Sequence, residues 1–334
     1  MTRAAVLGSG AWGTTFSQVL IDAGTDVTLW GRDEDVITEI QERRTHELSL
    51  PGVALPDTLV ATTDVAQALA GAELVFVAVP AQLARQILAP LKDLIPADAV
   101  VVSLMKGIET GTYRRMSQVI AEVWDLPAER VAVVSGPNLA REIAQRQPCA
   151  TVVACPDQAA AERVAEATAS SYFRPYTNDD LPGVELCGAY KNVIAVGVGI
   201  TDGLGYGHNT TATVITRGLA EMTRLGLALG ARPETFSGLA GMGDLIATCA
   251  SPLSRNHTLG AHIGNGLSLE DAIAATNGVA EGVKTALAVQ ELAASAGVDV
   301  PICAGVVTML EQRAPVGAVI EALLSRPRKS EVEG

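Results

Sequence analysis

The stretch AAVLGSGAWGTTFSQVL, residues 4–20, constrains the fold of this chain more than any other. It reads as a short apolar strand, a glycine-punctuated turn and an amphipathic helix. The spacing Gly8-x-Gly10-x-x-Gly13 gives each glycine a physical task. Gly8 permits a tight turn, Gly10 leaves room for backbone to approach a diphosphate, and Gly13 lets the helix pack close to the strand. The free N–H groups and positive dipole end of the helix then favour an anion there. In this strand-to-helix setting the pattern predicts a dinucleotide site on a parallel α/β sheet.

The run DVTLWGRD, residues 26–33, predicts the second strand. An acid at its end would bind a ribose diol, but Gly31 and Arg32 stand there, with Asp33 one residue beyond. A guanidinium accommodates a 2′-phosphate where a carboxylate would repel it. The expected cofactor is therefore NADPH (NADP) by preference, with NADH (NAD) accepted; the alternative for Arg32 is a solvated turn residue.

Further apolar runs, LVFVAVP, AVVVSLMKG, VAVVSG and ATVVAC, alternate with helical patterns such as QLARQILAPLKDLI and YRRMSQVIAEVW. Continuous apolar runs suit parallel strands buried on both faces. After about Pro182 the strand pattern stops and helices follow. The expected architecture is α/β: an N-terminal doubly wound Rossmann-type domain over residues 1–182, followed by an all-α C-terminal domain over 183–334 that binds substrate and carries the chemistry. A length of 334 residues accommodates two such domains.

Within the helical half, ELCGAYKNVIAVGVG, residues 185–199, places Lys191 and Asn192 in a nearly charge-free, small-residue stretch. Burial disfavours an ammonium and lowers its pKa toward the range of proton exchange. The plainer alternative is a lysine whose stem covers apolar surface while its head reaches water. Lys106 in SLMKGIE ends a strand. Gly136, Asn138 and Ala140 in SGPNLARE lie on a turn entering a helix, where backbone N–H groups can bind an anion. GLAGMGDLIATCASPLSRN supplies Asp244, Ser254, Arg255 and Asn256, and arginine beside asparagine and serine suits a phosphate monoester. Glu281 opens a helix in GVAEGVKT. Taken singly, Asp244 also reads as a helix N-cap, Lys106 as an exposed strand-end cation, and Arg255 and Asn256 as turn residues.

Composition narrows the partners. The charge of 24 − 37 = −13 disfavours nucleic acid and anionic membranes. Five scattered cysteines suggest reduced thiols, and neither they nor the four histidines form a metal-ligand pattern, so no metal is expected. The N-terminus lacks a signal-peptide layout, and no uninterrupted apolar run of about 18 residues suggests an integral membrane segment. A soluble, cytoplasmic protein is expected.

The ordered set GSGAWGT, KGIE, SGPNLARE, ELCGAYKN, ITRGLAEMTRLG, GMGDLIATC, SPLSRN and VAEGVKT resembles the bacterial NAD(P)-dependent glycerol-3-phosphate dehydrogenases over nearly the whole chain. The resemblance implies reversible reduction of dihydroxyacetone phosphate to sn-glycerol 3-phosphate, a glycerophospholipid precursor, by a homodimer. It implies Lys191 as proton donor and acceptor, with Lys106 and Asp244 also in the catalytic set. Substrate positions correspond to Lys106, Gly136, Asn138, Lys191, Asp244, Ser254, Arg255 and Asn256. Cofactor positions correspond to Ala11, Trp12, Arg32, Lys106, Ala140, Arg255, Val279 and Glu281, beside the three glycines.

Two departures stand out. His46 and Ser49 precede Leu50-Pro51-Gly52 where the family commonly carries asparagine and an aromatic residue, and Leu139 follows Asn138 where an aromatic is frequent. The residues alone leave two rivals: a dehydrogenase of 3-hydroxy acids or sugar acids, and a non-catalytic NADPH sensor with a structural Lys191.

Overall fold

The computed structural model describes residues 2–276, 280–311, 314–328 and 330. They form two compact units, Met1–Met105 with Met116–Leu181, and Lys106–Arg115 with Pro182–Gly334.

The first unit is built on eight strands: β1 (Arg3–Leu7), β2 (Asp26–Trp30), β3 (Val60–Thr62), β4 (Leu74–Val77), β5 (Val100–Ser103), β6 (Val131–Ser135), β7 (Cys149–Ala154) and β8 (Phe173–Asn178). Their order is β3-β2-β1-β4-β5-β6-β7-β8. The chain runs outward from β1 to β3, then restarts at β4 on the other side of β1. That reversal is the topological switch point of a doubly wound sheet, where ligands bind beyond the carboxyl ends. Leu7 pairs in register with Trp30 on one side and Val77 on the other, so the Gly8 turn emerges at this point.

Four features differ from the expectation. The ATVVAC run, expected parallel, forms β7 antiparallel to β6. Burial on both faces produces the same apolar run whichever way a strand points, so the pattern carries no direction. β3 is too short to show a period. β8, FRPYTN, is mostly accessible and carries a proline and polar residues, which hides it from an apolar search. The QLARQILAPLKDLI segment is helical only in short pieces, and Pro90 falls in the 3₁₀ turn Ala89–Leu94.

The second unit is helical. Its central helix, Leu181–Gly203, is long and apolar enough to cross a bilayer by length and composition, yet its apolar window is wholly buried by protein, as in a core helix. Small residues let this helix meet Arg255–Gly264 backbone to backbone. A Cβ on Gly199 would lie 2.1 Å from the His257 carbonyl oxygen, and one on Gly260 would lie 2.2 Å from that of Val196. On another face, the Tyr190 hydroxyl donates to the buried Glu221 carboxylate at 2.5 Å. Glu221 also accepts from the Ile302 and Cys303 N–H groups at the start of helix Pro301–Glu311. Burial raises its pKa against the lowering effect of these bonds. The helix is therefore fixed on both sides of Lys191.

The ten-residue segment Lys106–Arg115 belongs to the helical unit although sheet segments flank it in sequence. A simple division at 182/183 does not anticipate this. Ile108 is fully buried in the helical core and bridges to Arg115. The Arg115 guanidinium donates to Glu185 on the central helix at 2.6 Å. These contacts anchor the segment that carries Lys106.

Candidate active site

The first unit carries a half-site made largely of backbone. Gly8 has φ of +123°, a region costly for other residues, and a Cβ there would lie 2.5 Å from the Ala78 carbonyl oxygen. A Cβ on Gly13 would lie 1.9 Å from the Gly8 carbonyl oxygen, so the helix Ala11–Asp22 can seat against the turn only through glycine. Gly10 is different. A Cβ there would meet no protein atom within 4 Å, so the open space beside this helix N-cap is available to a ligand. The turn therefore fits a dinucleotide diphosphate.

Ala11, Trp12, Arg32 and Ala140 of the expected cofactor set, and Gly136 and Asn138 of the expected substrate set, lie on the same unit. Ala11 and Trp12 open the helix; the buried Trp12 indole nitrogen has no partner among the described residues. Ala140 begins the short helix Ala140–Ala144, tied to the glycine-turn helix by donation from Thr15 Oγ1 to the Ala140 carbonyl and from Gln18 Nε2 to that of Ala144. Arg32 is exposed. Asp33 is occupied as an N-cap, its carboxylate accepting from the Asp35 and Val36 N–H groups. Gly136 is buried after β6, and Asn138 Nδ2 donates to Thr151 Oγ1 at 2.9 Å while its buried Oδ1 has no partner among the described residues.

The second unit carries a half-site made of side chains. A tight turn ending in the π-helical segment Leu239–Gly243 delivers Asp244 to the start of helix Asp244–Ala250. Asp244 does not serve as an N-cap. Its 1% exposed carboxylate receives Lys191 Nζ on Oδ1 at 2.5 Å and Lys106 Nζ on Oδ2 at 2.6 Å. Lys191 Nζ also donates to Thr248 Oγ1 at 2.7 Å, and Thr248 Oγ1 donates to Asp244 Oδ1 at 3.3 Å. Thr248 was missed in the sequence, although its position four residues after Asp244 puts both on one helix face.

This arrangement places two ammonium groups on one buried carboxylate. Burial pulls the Lys191 pKa down to about 8; Asp244 opposes the shift, and nearby Lys106 adds to it. A lysine so placed gives up its proton at a lower pH than an exposed lysine does. Lys106, with 14% of its side chain exposed, is the more accessible cation.

The remaining expected substrate residues lie on neighbouring elements of this unit. Ser254 Oγ caps helix Arg255–Gly264 by accepting from the His257 N–H. Asn256 Oδ1 accepts from the Gly282 N–H at 2.9 Å, joining the starts of two helices, with Glu281 immediately before that junction. Arg255 is exposed and has no ion pair with a described residue. Val279 lies outside the described residues. Among the described residues, no group of three or more His, Cys, Asp or Glu side chains is placed to hold a metal. All five cysteines are free, and burial pushes the Cys149 and Cys249 thiols up to about 11 and about 12.

A glycine turn at the switch point of a doubly wound sheet, followed by a helical unit with a buried lysine of lowered pKa, defines a nicotinamide-dependent oxidoreductase. Two family profiles match the chain: "NAD-dependent glycerol-3-phosphate dehydrogenase N-terminus" over residues 3–161 and the corresponding "C-terminus" over 180–321. The chain belongs to the NAD-dependent glycerol-3-phosphate dehydrogenase family. It is 56% identical over 330 residues to a glycerol-3-phosphate dehydrogenase [NAD(P)+] of Streptomyces griseus subsp. griseus, covering 98% of both chains. It is 52% identical over 335 residues to one from Thermobifida fusca, covering 100% of both. A crystal structure of glycerol-3-phosphate dehydrogenase from Coxiella burnetii superposes with a TM-score of 0.92 at 35% identity, over 97% of this chain and 99% of that one.

Proposed function

We infer that this chain is a glycerol-3-phosphate dehydrogenase that uses NAD(P) to interconvert dihydroxyacetone phosphate and sn-glycerol 3-phosphate. The observation that carries the chemical reading is the pairing of Lys191 and Lys106 on Asp244, with the Lys191 pKa brought down to about 8. Bound reduced nicotinamide supplies a hydride to the substrate carbonyl carbon.

Lys191 Nζ supplies the proton to the carbonyl oxygen as the carbon–oxygen double bond becomes a single bond. Its own N–H bond breaks and an O–H bond forms, leaving a neutral amine to be reprotonated. Asp244 and Thr248 hold that amine in a fixed direction, so the proton is aimed before the reaction begins. Lys106 offers a second cation to oxygen as negative charge develops there. In the reverse direction neutral Lys191 accepts the hydroxyl proton. Asp244 remains an acceptor throughout.

The substrate phosphate is assigned to Arg255 and Asn256, with Ser254 ordering the start of their helix and Gly136 and Asn138 completing the substrate set. The phosphate lies away from the reacting carbon, so binding it contributes orientation. The glycine turn with Ala11, Trp12, Ala140, Val279 and Glu281 is the proposed cofactor set, shared in part with Lys106 and Arg255. Asp33 is committed to a helix cap while Arg32 is free to meet a 2′-phosphate, which supports preferred use of NADPH with NADH accepted. A homodimer, a cytoplasmic location and a role in supplying glycerophospholipid precursor extend this reading by family likeness.

The test is loss of reduced-nicotinamide absorbance on mixing the purified chain with dihydroxyacetone phosphate, run beside dihydroxyacetone and a 3-hydroxy acid in the reverse direction. Rapid phosphate-dependent oxidation is expected. Turnover of the hydroxy acid without turnover of the phosphate substrate would favour the rival dehydrogenase, and cofactor binding with no hydride transfer would favour the sensor.

A further inference from the structure

We infer that His46 is a positioning residue for the dinucleotide turn: it fixes the peptide plane whose N–H faces the cofactor diphosphate. This rests on the cofactor reading above and extends it to a residue outside the proposed cofactor set.

His46 is 2% exposed, and its Nε2 lies 3.0 Å from the carbonyl oxygen of Ser9, between the first two glycines of the turn. A carbonyl oxygen can only accept, so Nε2 carries a proton and donates it to Ser9. The ring's Nδ1 is buried without a partner among the described residues. Among the described residues the Ser9 carbonyl is therefore the one hydrogen-bond partner that compensates the desolvated ring, and leaving a buried polar atom unmatched is costly.

Peptide geometry extends the effect to the ligand side. The Ser9–Gly10 peptide is planar and trans, so its C=O and N–H point in opposite directions. Holding the Ser9 oxygen toward His46 turns the Gly10 N–H the other way, at a helix N-cap beside open space. The other end of the turn is fixed by donation from the Gly8 N–H to the Trp30 carbonyl at 2.8 Å. A turn rich in glycine lacks side-chain restraint of its own, and His46 supplies it from outside.

The imidazole is itself held firmly. The His46 carbonyl accepts from the Ser49 and Leu50 N–H groups at 3.1 and 2.7 Å, and Leu50 is fully buried. On the other side, Thr45 Oγ1 and the Glu47 N–H both donate to Glu39 Oε1. The ring thus reaches the turn from a segment anchored on both flanks.

The experiment compares binding of NADPH with binding of 2′-AMP, which carries the 2′-phosphate and no diphosphate, by the full chain and by His46→Leu and His46→Gln. Leucine removes the donor, and glutamine keeps a side-chain N–H at similar reach. His46→Leu is expected to weaken NADPH about tenfold or more while 2′-AMP binding holds, and His46→Gln is expected to recover most of the loss. Equal NADPH affinity in native and His46→Leu proteins, or parallel weakening of both ligands, overturns the inference. If the native chain does not bind NADPH, the cofactor reading fails first and takes this one with it. Nitrogen-15 spectra of labelled histidine in the native protein give a check that requires no variant: the Nε2–H tautomer is expected at His46, and the Nδ1–H tautomer overturns the assignment.

Discussion

The two half-sites are built from opposite materials. The dinucleotide turn is backbone, shaped by missing side chains at Gly8, Gly10 and Gly13 and left open where a ligand would approach. The lysine site is side chain, with two cations and a threonine around a carboxylate that is almost sealed from water. Binding a diphosphate requires N–H groups already aimed at an anion, which a glycine turn supplies without a charged residue. The proton transfer proposed for Lys191 is favoured by a lowered pKa, which burial beside another ammonium produces.

The largest expected separation between the half-sites comes from Lys191→Ala. Turnover should fall by about 10²- to 10⁴-fold, the usual weight of a lost general acid, while NADPH affinity by fluorescence titration stays close to native. A comparable loss of cofactor affinity would mean that the chemistry and the dinucleotide site are not separable in this way.

The converse change is Gly13→Ala, which forces a Cβ to within 1.9 Å of the Gly8 carbonyl oxygen. Overpacking of this kind should weaken NADPH binding by about 10- to 100-fold, with the Lys191 titration unmoved. Native affinity in the alanine variant would show that the turn does not depend on the close approach of helix and strand.

A smaller effect should follow from Arg32→Ala. The ratio of NADPH to NADH affinities is expected to fall by about 3- to 10-fold, since the guanidinium is exposed and solvent weakens its pairing with phosphate. An unchanged ratio would return Arg32 to the role of a solvated turn residue.

The same contrast explains what could be read before the fold was known. The backbone half-site was legible because its constraints are local: three glycines at fixed spacing between a strand and a helix. The sheet was legible where strands are buried on both faces, and was lost at the polar β8, the short β3 and the direction of β7. Lys191 announced itself as a solitary charge in an apolar run. Its carboxylate partner lies 53 residues away, and Lys106 lies 138 residues from the same carboxylate, so no local pattern predicts one oxygen for each lysine. Arg115 and Glu185, 70 residues apart, anchor the Lys106 segment by a contact that only the fold reveals. His46 looked like a departure from a family pattern, and its meaning emerged from its distance to Ser9.

The lowered pKa of Lys191 also bears on stability. Its folded pKa lies below the ordinary lysine value of about 10.4, so between pH about 8 and about 10.4 the unfolded chain binds more protons than the folded one. The stability penalty for burying this ammonium is therefore full below that window and is relieved as pH rises through it.

The most direct test of the account is the pH dependence of kcat/KM in both directions, which reports the titration of groups in the free enzyme and free substrate. With Lys191 as the proton-exchanging group, reduction of dihydroxyacetone phosphate should decline as pH rises through about 8, and oxidation of sn-glycerol 3-phosphate should increase across the same interval. Flat profiles through this interval in both directions, with chemistry shown to limit the rate, would contradict the assignment of Lys191 as proton donor and acceptor.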